Sequence, residues 1–235
     1  MTLAALFFGA HPDDVELTSG GLATLLAGHG HAVGIVDLTR GEAGTRGSPE
    51  QRAAEAEAAT RALGIEVRRN LALPDTGLDG GSAEQLAAVV ACLREHRPSL
   101  VVAPDRHDLH PDHVEASRLV ARACHLAGLA RFRAAGERFR PDRLLYALYR
   151  SVERPHLVVD VTSVWERRMD ALRAHTSQLE GSGPETYLTA QGFLAEVESR
   201  ARVWGASIGV TFGEGYRVAG PVAVRDARAL LGATP

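Results

Sequence analysis

Histidine and aspartate side chains are concentrated in two short segments of this 235-residue chain. Segment 9–16 reads GAHPDDVE, and segment 104–113 reads PDRHDLHPDH. In each segment, two candidate metal ligands lie three residues apart, a spacing that lets both side chains reach one ion. Imidazole and carboxylate groups suit Zn²⁺ and leave room for water, while a further carboxylate can move protons. The candidate groups are His11, Asp13, Asp14, His110 and His113.

The fold must bring these two segments together, and the hydrophobic pattern predicts how. Short apolar runs alternate with helix-period segments, which is typical of a mainly parallel sheet with helices on both faces. Strands are predicted at 3–9, 32–38, 65–71, 100–103, 144–149 and 157–161, and helices at 22–26, 49–63, 83–95, 112–126, 164–173 and 191–204. We expect a single Rossmann-like α/β domain over 1–235, with its α/β core at 1–161. The remainder, 162–235, is expected to be a packed helical and turn-rich part with a glycine-rich turn at 181–184.

Both polar segments directly follow predicted strands, the first and the fourth. Ligands of open α/β sheets bind outside the carboxyl ends of the strands. Either segment alone has a structural explanation, because a His-Pro pair often forms a turn and an Asp-Asp pair often caps a helix. Their joint occurrence at the two expected loops favours a metal-dependent active site. Surface, loop-polarity or packing roles are expected for the other polar candidates: His29, His31, His96, Asp105, His107, His125, His156 and His175.

Composition excludes several classes of protein. Hydrophobic residues make up 45% and charged residues 23% of the chain, and the net charge is −3. These values exclude a disordered chain and a nucleic-acid binder held by bulk charge. The chain contains no lysine, which excludes a Schiff-base lysine, a pyridoxal-phosphate anchor and a P-loop. The GxGxxG motif of nicotinamide enzymes is absent after the first predicted strand, and Cys92 and Cys124 lack the CxxC spacing of a thiolate metal site.

The ten N-terminal residues are apolar but carry no basic region, so they predict a buried strand rather than a signal peptide. The chain has no apolar run near the roughly 20 residues that a membrane span requires. We therefore expect a cytoplasmic protein with no membrane partner.

The motifs resemble those of one known superfamily. HPDDVE at 11–16, Gly20-Gly21 and HPDH at 110–113 are similar to the LmbE-like (PIG-L) superfamily of zinc-dependent N-acetylglucosamine deacetylases. Further segments resemble its bacillithiol-biosynthesis deacetylase branch: LTRGEAGTRG at 38–47, Arg52, PETY at 184–187, and 209–221 with Gly213, Glu214 and Arg217. This resemblance implies an LmbE-like fold, one Zn²⁺ per subunit, N-acetylglucosaminyl malate as the substrate and a homohexameric assembly.

The resemblance also implies a role for each candidate residue. His11, Asp14 and His113 would be the zinc ligands, and Asp13 the general base for a water that attacks the acetamide carbonyl. His110, as a cation, would stabilise the oxyanion, with Asp112 orienting its imidazole.

Substrate-binding residues are predicted from charge. The malate carboxylates would need cationic partners, and without lysine only arginine provides a permanent positive charge. Arg46 and Arg52 are the candidates, and the Tyr187 hydroxyl could reach the site. The alternatives are an ion pair between Arg52 and Glu55, a solvated Arg46 and a packing role for Tyr187.

Three other functions remain open. A thiol S-conjugate amidase or a general N-acetylglucosamine or chitooligosaccharide deacetylase could use the same metal site. A non-catalytic sugar-binding protein is the third, although the complete set of five His and Asp residues favours turnover. The metal could also be Fe²⁺, Co²⁺ or Ni²⁺, because such a site accepts several divalent ions.

Overall fold

A computed structural model describes residues 1–149, 154–180 and 183–223. The strands are β1 (Ala5–Gly9), β2 (Val33–Thr39), β3 (Val67–Leu73), β4 (Leu100–Pro104), β5 (Arg143–Ala147), β6 (Leu157–Asp160) and β7 (Gly213–Val218). The helices are α1 (Asp14–Thr18), α2 (Gly20–Gly28), α3 (Pro49–Leu63), α4 (Ala83–His96), α5 (Pro111–Ala127), α6 (Trp165–Arg173), α7 (Thr176–Leu179) and α8 (Phe193–Ser207), and a 3₁₀ turn spans Thr162–Val164. None of the described helices is long and apolar enough to cross a membrane.

All seven described strands form one sheet in the order β3-β2-β1-β4-β5-β7-β6. The pairs from β3 to β5 are parallel, and β7 runs antiparallel to both β5 and β6. The predicted α/β class with a mainly parallel sheet is therefore confirmed. The chain leaves β1 toward β2 on one side and reaches β4 on the other, so the gap between β1 and β4 is the topological switch point of the sheet.

Both faces of the sheet are covered, as the unbroken apolar strands predict. Every residue of β1 is buried, and successive side chains enter opposite cores. Leu6 and Phe8 pack with residues of α4 and α5, whereas Ala5 and Phe7 pack with residues of α2 and α3. A third apolar cluster joins α6 to α8. The central strands are thus fixed from both sides, which gives the loops at their ends a rigid base.

The C-terminal part differs from the prediction. Within the segment expected to be turn-rich lies β7, which pairs with β5 and β6, and Glu214 ties this strand to the start of α2. Its carboxylate accepts hydrogen bonds from the backbone N–H groups of Gly21 and Leu22, at 2.7 and 2.8 Å. A Cβ at Gly21 would lie 2.7 Å from Glu214 Oε1, so this contact requires glycine. Residues 181 and 182 of the predicted turn, and 224–235, lie outside the described residues.

Other element boundaries also differ, chiefly those of the first helical region and the third strand. The first helical region is longer than predicted at both ends, since α1 starts at Asp14 and α2 extends to Gly28. The third strand lies two residues later, at Val67–Leu73.

Candidate active site

The turn after β1 is tight and strained. A Cβ at Gly9 would lie 2.9 Å from the His11 carbonyl oxygen, so the chain can fold back here only with glycine. Asp13 has a φ of 123°, a backbone conformation that costs a non-glycine residue free energy and persists only where surrounding contacts enforce it. Such strain is common at functional sites. The turn leads directly into α1 and places Asp13 and Asp14 at its start.

The turn after β4 presents the second motif at the start of α5. Pro111 occupies the first turn of this helix, where its missing N–H is tolerated. His110 is the N-cap, and its Nδ1 accepts a hydrogen bond from the backbone N–H of Asp112 at 3.2 Å. The rings of His110 and His113 stack with centroids 4.8 Å apart. Because β4 lies beside β1, these imidazoles face the first motif.

The predicted ligands His11, Asp14 and His113 converge. Their ligand atoms all lie within 4.8 Å of one another. Asp14 is central, since Oδ2 lies 3.5 Å from His11 Nδ1 and Oδ1 lies 3.1 Å from His113 Nε2. Two imidazoles and a carboxylate form a donor set that suits Zn²⁺ and related divalent ions. We call these three residues the metal corner.

Electrostatics within the metal corner favour a bound cation. Burial alone would lower the pKa of His11, but its hydrogen bonds to three carboxylates outweigh burial and hold that pKa well above its ordinary value. Burial would likewise lower the pKa of His113, but Asp14 and Asp108 raise it to about 10. The two imidazoles in turn hold the pKa of Asp14 well below its usual range, against the effect of burial. Carboxylates that stabilise positive charge on two imidazoles can stabilise a metal cation in the same place.

Asp13 has a different environment from Asp14. Burial raises the pKa of Asp13 to about 6, against the opposing effect of the Arg52 guanidinium. Arg52 Nη2 lies 3.4 Å from Asp13 Oδ2 and donates to the Pro12 carbonyl at 2.9 Å. The Arg52 guanidinium also donates to the Gly41 carbonyl, and a Cβ at Gly41 would collide with it. Arg52 therefore clamps the strained turn of the predicted base.

These contacts change the interpretation of Arg52. Its guanidinium binds Asp13 and two backbone carbonyls, not Glu55. Glu55 instead accepts hydrogen bonds from the backbone N–H and hydroxyl of Ser177, both at 2.7 Å. The structure thus favours a positioning role for Arg52 over the predicted carboxylate binding.

The Arg46 side chain also forms hydrogen bonds within the chain. Its guanidinium donates to the carbonyl oxygens of Ser177 at 2.9 Å and Pro184 at 3.1 Å, and to that of Glu180. These bonds fasten the loop after β2 to the segment around α7. The contacts favour a structural role over the predicted recognition of malate. Tyr187 lies at the rim of the site and donates to Glu196 at 2.6 Å.

The predicted relation between Asp112 and His110 is corrected by the geometry. The Asp112 carboxylate lies 3.3 Å from His11 Nε2 and accepts from the Thr76 N–H at 3.0 Å, whereas only the Asp112 backbone contacts the His110 ring. His110, His11 and Asp112 form a second group of potential ligand atoms within 4.8 Å. Burial, together with the positive charges of His113 and His11, lowers the pKa of His110. This opposes the prediction that His110 acts as a cation.

Two residues that the sequence interpretation missed orient the ligands. Asp75, which follows β3, lies 3.2 Å from His11 Nε2. Asp108 Oδ1 lies 3.2 Å from His113 Nδ1 and accepts from the His110 N–H at 2.9 Å. Carboxylates that hold the second nitrogen of a ligating histidine fix its orientation and its protonation. Asp75 could have been found by the same reasoning as His11, because it also lies at the carboxyl end of a parallel strand.

A cavity of about 390 Å³ joins these groups. Its walls include the metal corner, Asp13, His110, Tyr149, Tyr187 and Leu188. It is large enough for a sugar-sized ligand.

Cys92, Cys124 and His175, for which structural roles are expected, do not line the cavity. Cys92 and Cys124 are free thiols, and burial raises the pKa of each to about 12, which suppresses reactivity. His175 is fully buried beside Glu16, with Nε2 3.5 Å from Oε1. The expectation that loop polarity explains Asp105 is corrected. Its side chain is fully buried, and neither carboxylate oxygen has a hydrogen-bond partner among the described residues.

Known proteins are similar to this chain over most of its length. A 1D-myo-inositol 2-acetamido-2-deoxy-alpha-D-glucopyranoside deacetylase from Rhodococcus opacus (strain B4) is 29% identical, covering 81% of this chain and 88% of that protein. The crystal structure of the conserved protein TT1542 from Thermus thermophilus superposes with a TM-score of 0.87 at 37% identity, over 95% of this chain and 97% of that one.

A second solved structure is similar over most of the chain. The N,N'-diacetylchitobiose deacetylase from Pyrococcus horikoshii has a TM-score of 0.79 at 26% identity and covers 91% of this chain and 82% of that one. The PIG-L family model, described as GlcNAc-PI de-N-acetylase, matches residues 6–124, just over half of the chain and the part that holds both His/Asp motifs. This chain therefore belongs to the PIG-L, or LmbE-like, family.

Proposed function

We propose that the protein is a metal-dependent hydrolase that removes the acetyl group from an N-acetylglucosamine conjugate. The observation that carries this proposal is the meeting of the metal corner with a separate buried carboxylate, Asp13, in one sugar-sized cavity at the switch point. Similarity to deacetylases of N-acetylglucosamine conjugates supports the reaction class. A non-catalytic sugar-binding protein would not need a base held in a strained turn beside three metal ligands.

The metal would be held by His11, Asp14 and His113, with Asp75 and Asp108 orienting the imidazoles. A divalent ion in this site would polarise the acetamide carbonyl and lower the pKa of a water molecule. Asp13 would accept the proton of the attacking water and deliver it to the departing amine. Its raised pKa supports both steps, since a carboxylate titrating near neutral pH can take up and release a proton.

His110 would donate a hydrogen bond to the acetamide oxygen as negative charge develops there. Its Nδ1 accepts from the Asp112 N–H, so a neutral ring carries its proton on Nε2. The lowered pKa supports this neutral form. A preorganised donor at a developing oxyanion typically contributes about 10²–10³-fold to turnover.

N-acetylglucosaminyl malate is the proposed substrate, and the bacillithiol branch the proposed place of the enzyme. The support is the resemblance of segments 38–47, 184–187 and 209–221 to that branch. Arg46 and Arg52, the arginines of the cavity wall, both have internal partners, so malate recognition by these two side chains is not part of the proposal. The alternatives are a general N-acetylglucosamine or chitooligosaccharide deacetylase and a thiol S-conjugate amidase.

Acetate release by the zinc-loaded protein tests this proposal. The substrates are N-acetylglucosaminyl malate, N,N'-diacetylchitobiose and free N-acetylglucosamine. We expect acetate from the malate conjugate with the highest kcat/KM. Equal rates on all three would contradict the malate assignment but keep the deacetylase. No acetate from any of them, with metal shown to be bound, would overturn the deacetylase proposal and favour the amidase.

Zinc as the bound metal, a homohexameric assembly and a cytoplasmic location are further proposals that rest on the resemblance. The exposed apolar residues Val203 and Ile208 at the end of α8 support an association surface. Metal analysis of the purified protein and light scattering test the first two. Another bound ion would contradict the zinc assignment, and a monomer would contradict the hexamer.

A further inference from the structure

The Tyr149 hydroxyl is a buried polar group without a partner among the described residues. Tyr149 lies two residues beyond the end of β5 and is 6% exposed. Its oxygen is inaccessible to solvent and has no hydrogen-bond partner in the part of the chain that the structure describes. A buried hydroxyl without a partner costs free energy that a phenylalanine at the same position would not. The described part of the chain therefore leaves this hydroxyl available for a further partner.

The cavity defines where that partner would bind. Tyr149 belongs to the wall of the same 390 Å³ cavity that contains the metal corner and Asp13. Burial raises the pKa of Tyr149, so the hydroxyl is protonated at neutral pH and can donate a hydrogen bond. The missing partner is thus a hydrogen-bond acceptor in the cavity.

The ring of Tyr149 is held in place by α8. The Arg200 guanidinium lies over the ring at 5.1 Å from its centroid. Arg200 in turn pairs with Glu196 at 2.5 Å, and Glu196 accepts from the Tyr187 hydroxyl at 2.6 Å. These contacts fix two tyrosines of one wall before a ligand arrives. A preorganised donor loses little conformational entropy when it binds.

The position of Tyr149 after β5 indicates which part of the substrate it would contact. The acetamide of a substrate must lie at the metal corner and Asp13, which follow β1 and β4. Tyr149 follows β5, the next strand along the sheet, and lines the same cavity. A group bound there belongs to the portion of the substrate beyond the acetamide.

We propose that the Tyr149 hydroxyl is a substrate-binding group, which donates a hydrogen bond to a hydroxyl or ring oxygen of the sugar. This inference rests on the proposed deacetylase function and identifies a specificity-determining residue for it. Because the contact forms with the bound sugar and not with the reacting carbonyl, it contributes equally to ground-state and transition-state binding. The Tyr149→Phe variant should therefore raise KM and leave kcat unchanged.

The test compares Tyr149→Phe with Tyr146→Phe. Tyr146 lies on β5 and faces a separate groove with Arg106 and Arg122, so the same loss of a hydroxyl there should change neither KM nor kcat. For Tyr149→Phe we expect KM for N,N'-diacetylchitobiose to rise roughly three- to tenfold, with kcat within about twofold. The Tm should stay equal or rise, because the buried hydroxyl has no partner to lose.

A second measurement separates this inference from the proposed function. Calorimetry on the Asp13→Asn background, with and without Tyr149→Phe, measures binding of the same sugar without turnover. Weaker binding in the double variant supports the inference even if the wild-type enzyme releases no acetate. The absence of acetate would refute only the proposed deacetylase activity. Unchanged KM and affinity would overturn the inference. A fall in kcat alone would also overturn it, since the hydroxyl would then act on the reacting atoms, and a lowered Tm with unchanged affinity would indicate a purely structural role.

Discussion

Two charged clusters meet at the single turn after β1, and they differ in how their charges are balanced. Asp13 and Asp14 face the cavity, whereas Glu16, two residues further on, is fully buried on the other side of the turn. Arg68 Nη1 lies 2.5 Å from Glu16 Oε1, and its guanidinium binds both oxygens of Asp37 at 2.8 and 2.9 Å. We call Glu16, Asp37, Arg68 and His175 the sealed cluster.

The comparison separates structural from functional charge. In the sealed cluster one arginine binds both carboxylates, and its two hydrogen bonds to Asp37 fix the orientation of the guanidinium. Around the metal corner, the described carboxylates greatly outnumber the one arginine that contacts them, Arg52: they are Asp13, Asp14, Asp75, Asp108 and Asp112. The raised pKa values of His11 and His113 favour protonation of both rings, which supplies at most two further positive charges for the five carboxylates. Of the two clusters, only the metal corner has negative charge left for a cationic ligand.

The largest expected effect is the loss of the metal corner through Asp14→Asn. This change keeps the size of the side chain but removes the charge that both ligating imidazoles contact. We expect the dialysed protein to lose its metal and acetate release to fall by about 10³-fold or more, since metal activation supplies several kcal/mol. Plasma mass spectrometry and the acetate assay measure the two effects. A variant that keeps one metal per chain would show that Asp14 is not a ligand.

The matching change in the sealed cluster, Glu16→Gln, should affect stability instead. It leaves Arg68 with one fewer carboxylate in a buried site, and breaking a buried ion pair costs about 3–5 kcal/mol. We expect the free energy of unfolding in urea to fall by this amount while the metal content stays at the wild-type level. Metal loss without a loss of stability would contradict the separation of the two clusters.

An intermediate effect on metal binding is expected for Asp108→Asn, which tests whether a residue beside the metal corner supports it. Asp108 contacts the nitrogen of His113 that does not face Asp14. Removal of such an orienting carboxylate typically lowers metal affinity by about 10–100-fold. Competition with a chromophoric chelator measures this change. An affinity equal to that of the wild type would mean that His113 needs no support from Asp108.

Among the variants of these two clusters, the smallest effect is expected for Arg52→Ala. If Arg52 positions Asp13, its removal should lower kcat by about tenfold on the malate conjugate and on diacetylchitobiose alike, which is the lower end of the about 1.5–3 kcal/mol that hydrogen bonds to charged groups contribute. Arg52→Lys should recover part of this loss. A rise in KM confined to the malate conjugate would instead show that Arg52 binds the substrate carboxylates.

The metal corner could be predicted from the sequence because its geometry is local. His11 and Asp14 share one turn, His113 lies in the first turn of a helix, and neighbouring parallel strands bring the two turns together. The alternation of apolar runs was sufficient to predict the parallel part of the sheet, from β3 to β5, since its central strands are buried on both faces, but it did not predict β7. The same rule, applied to the third strand, would have identified Asp75.

The roles of the arginines and of the C-terminal part could not be predicted, because they depend on distant partners. Arg52 and Asp13 are 39 residues apart, and Glu55 finds its partner Ser177 at a separation of 122. Helical spacing offered a nearer pair, Arg52 with Glu55, that the fold does not use. Tyr149 likewise carries no local signal, since its meaning comes from a cavity wall built with Tyr187 and α8.

In the proposed mechanism Asp13 moves protons while the metal corner holds the ion, and Asp13→Asn separates these two roles. Metal content and acetate release should be measured on the same sample of the variant and of the wild type. We expect one metal ion per chain in both proteins and acetate release reduced by roughly 10²–10⁴-fold in the variant. Loss of the metal from the variant would make Asp13 a ligand, and wild-type acetate release would show that it is not the base.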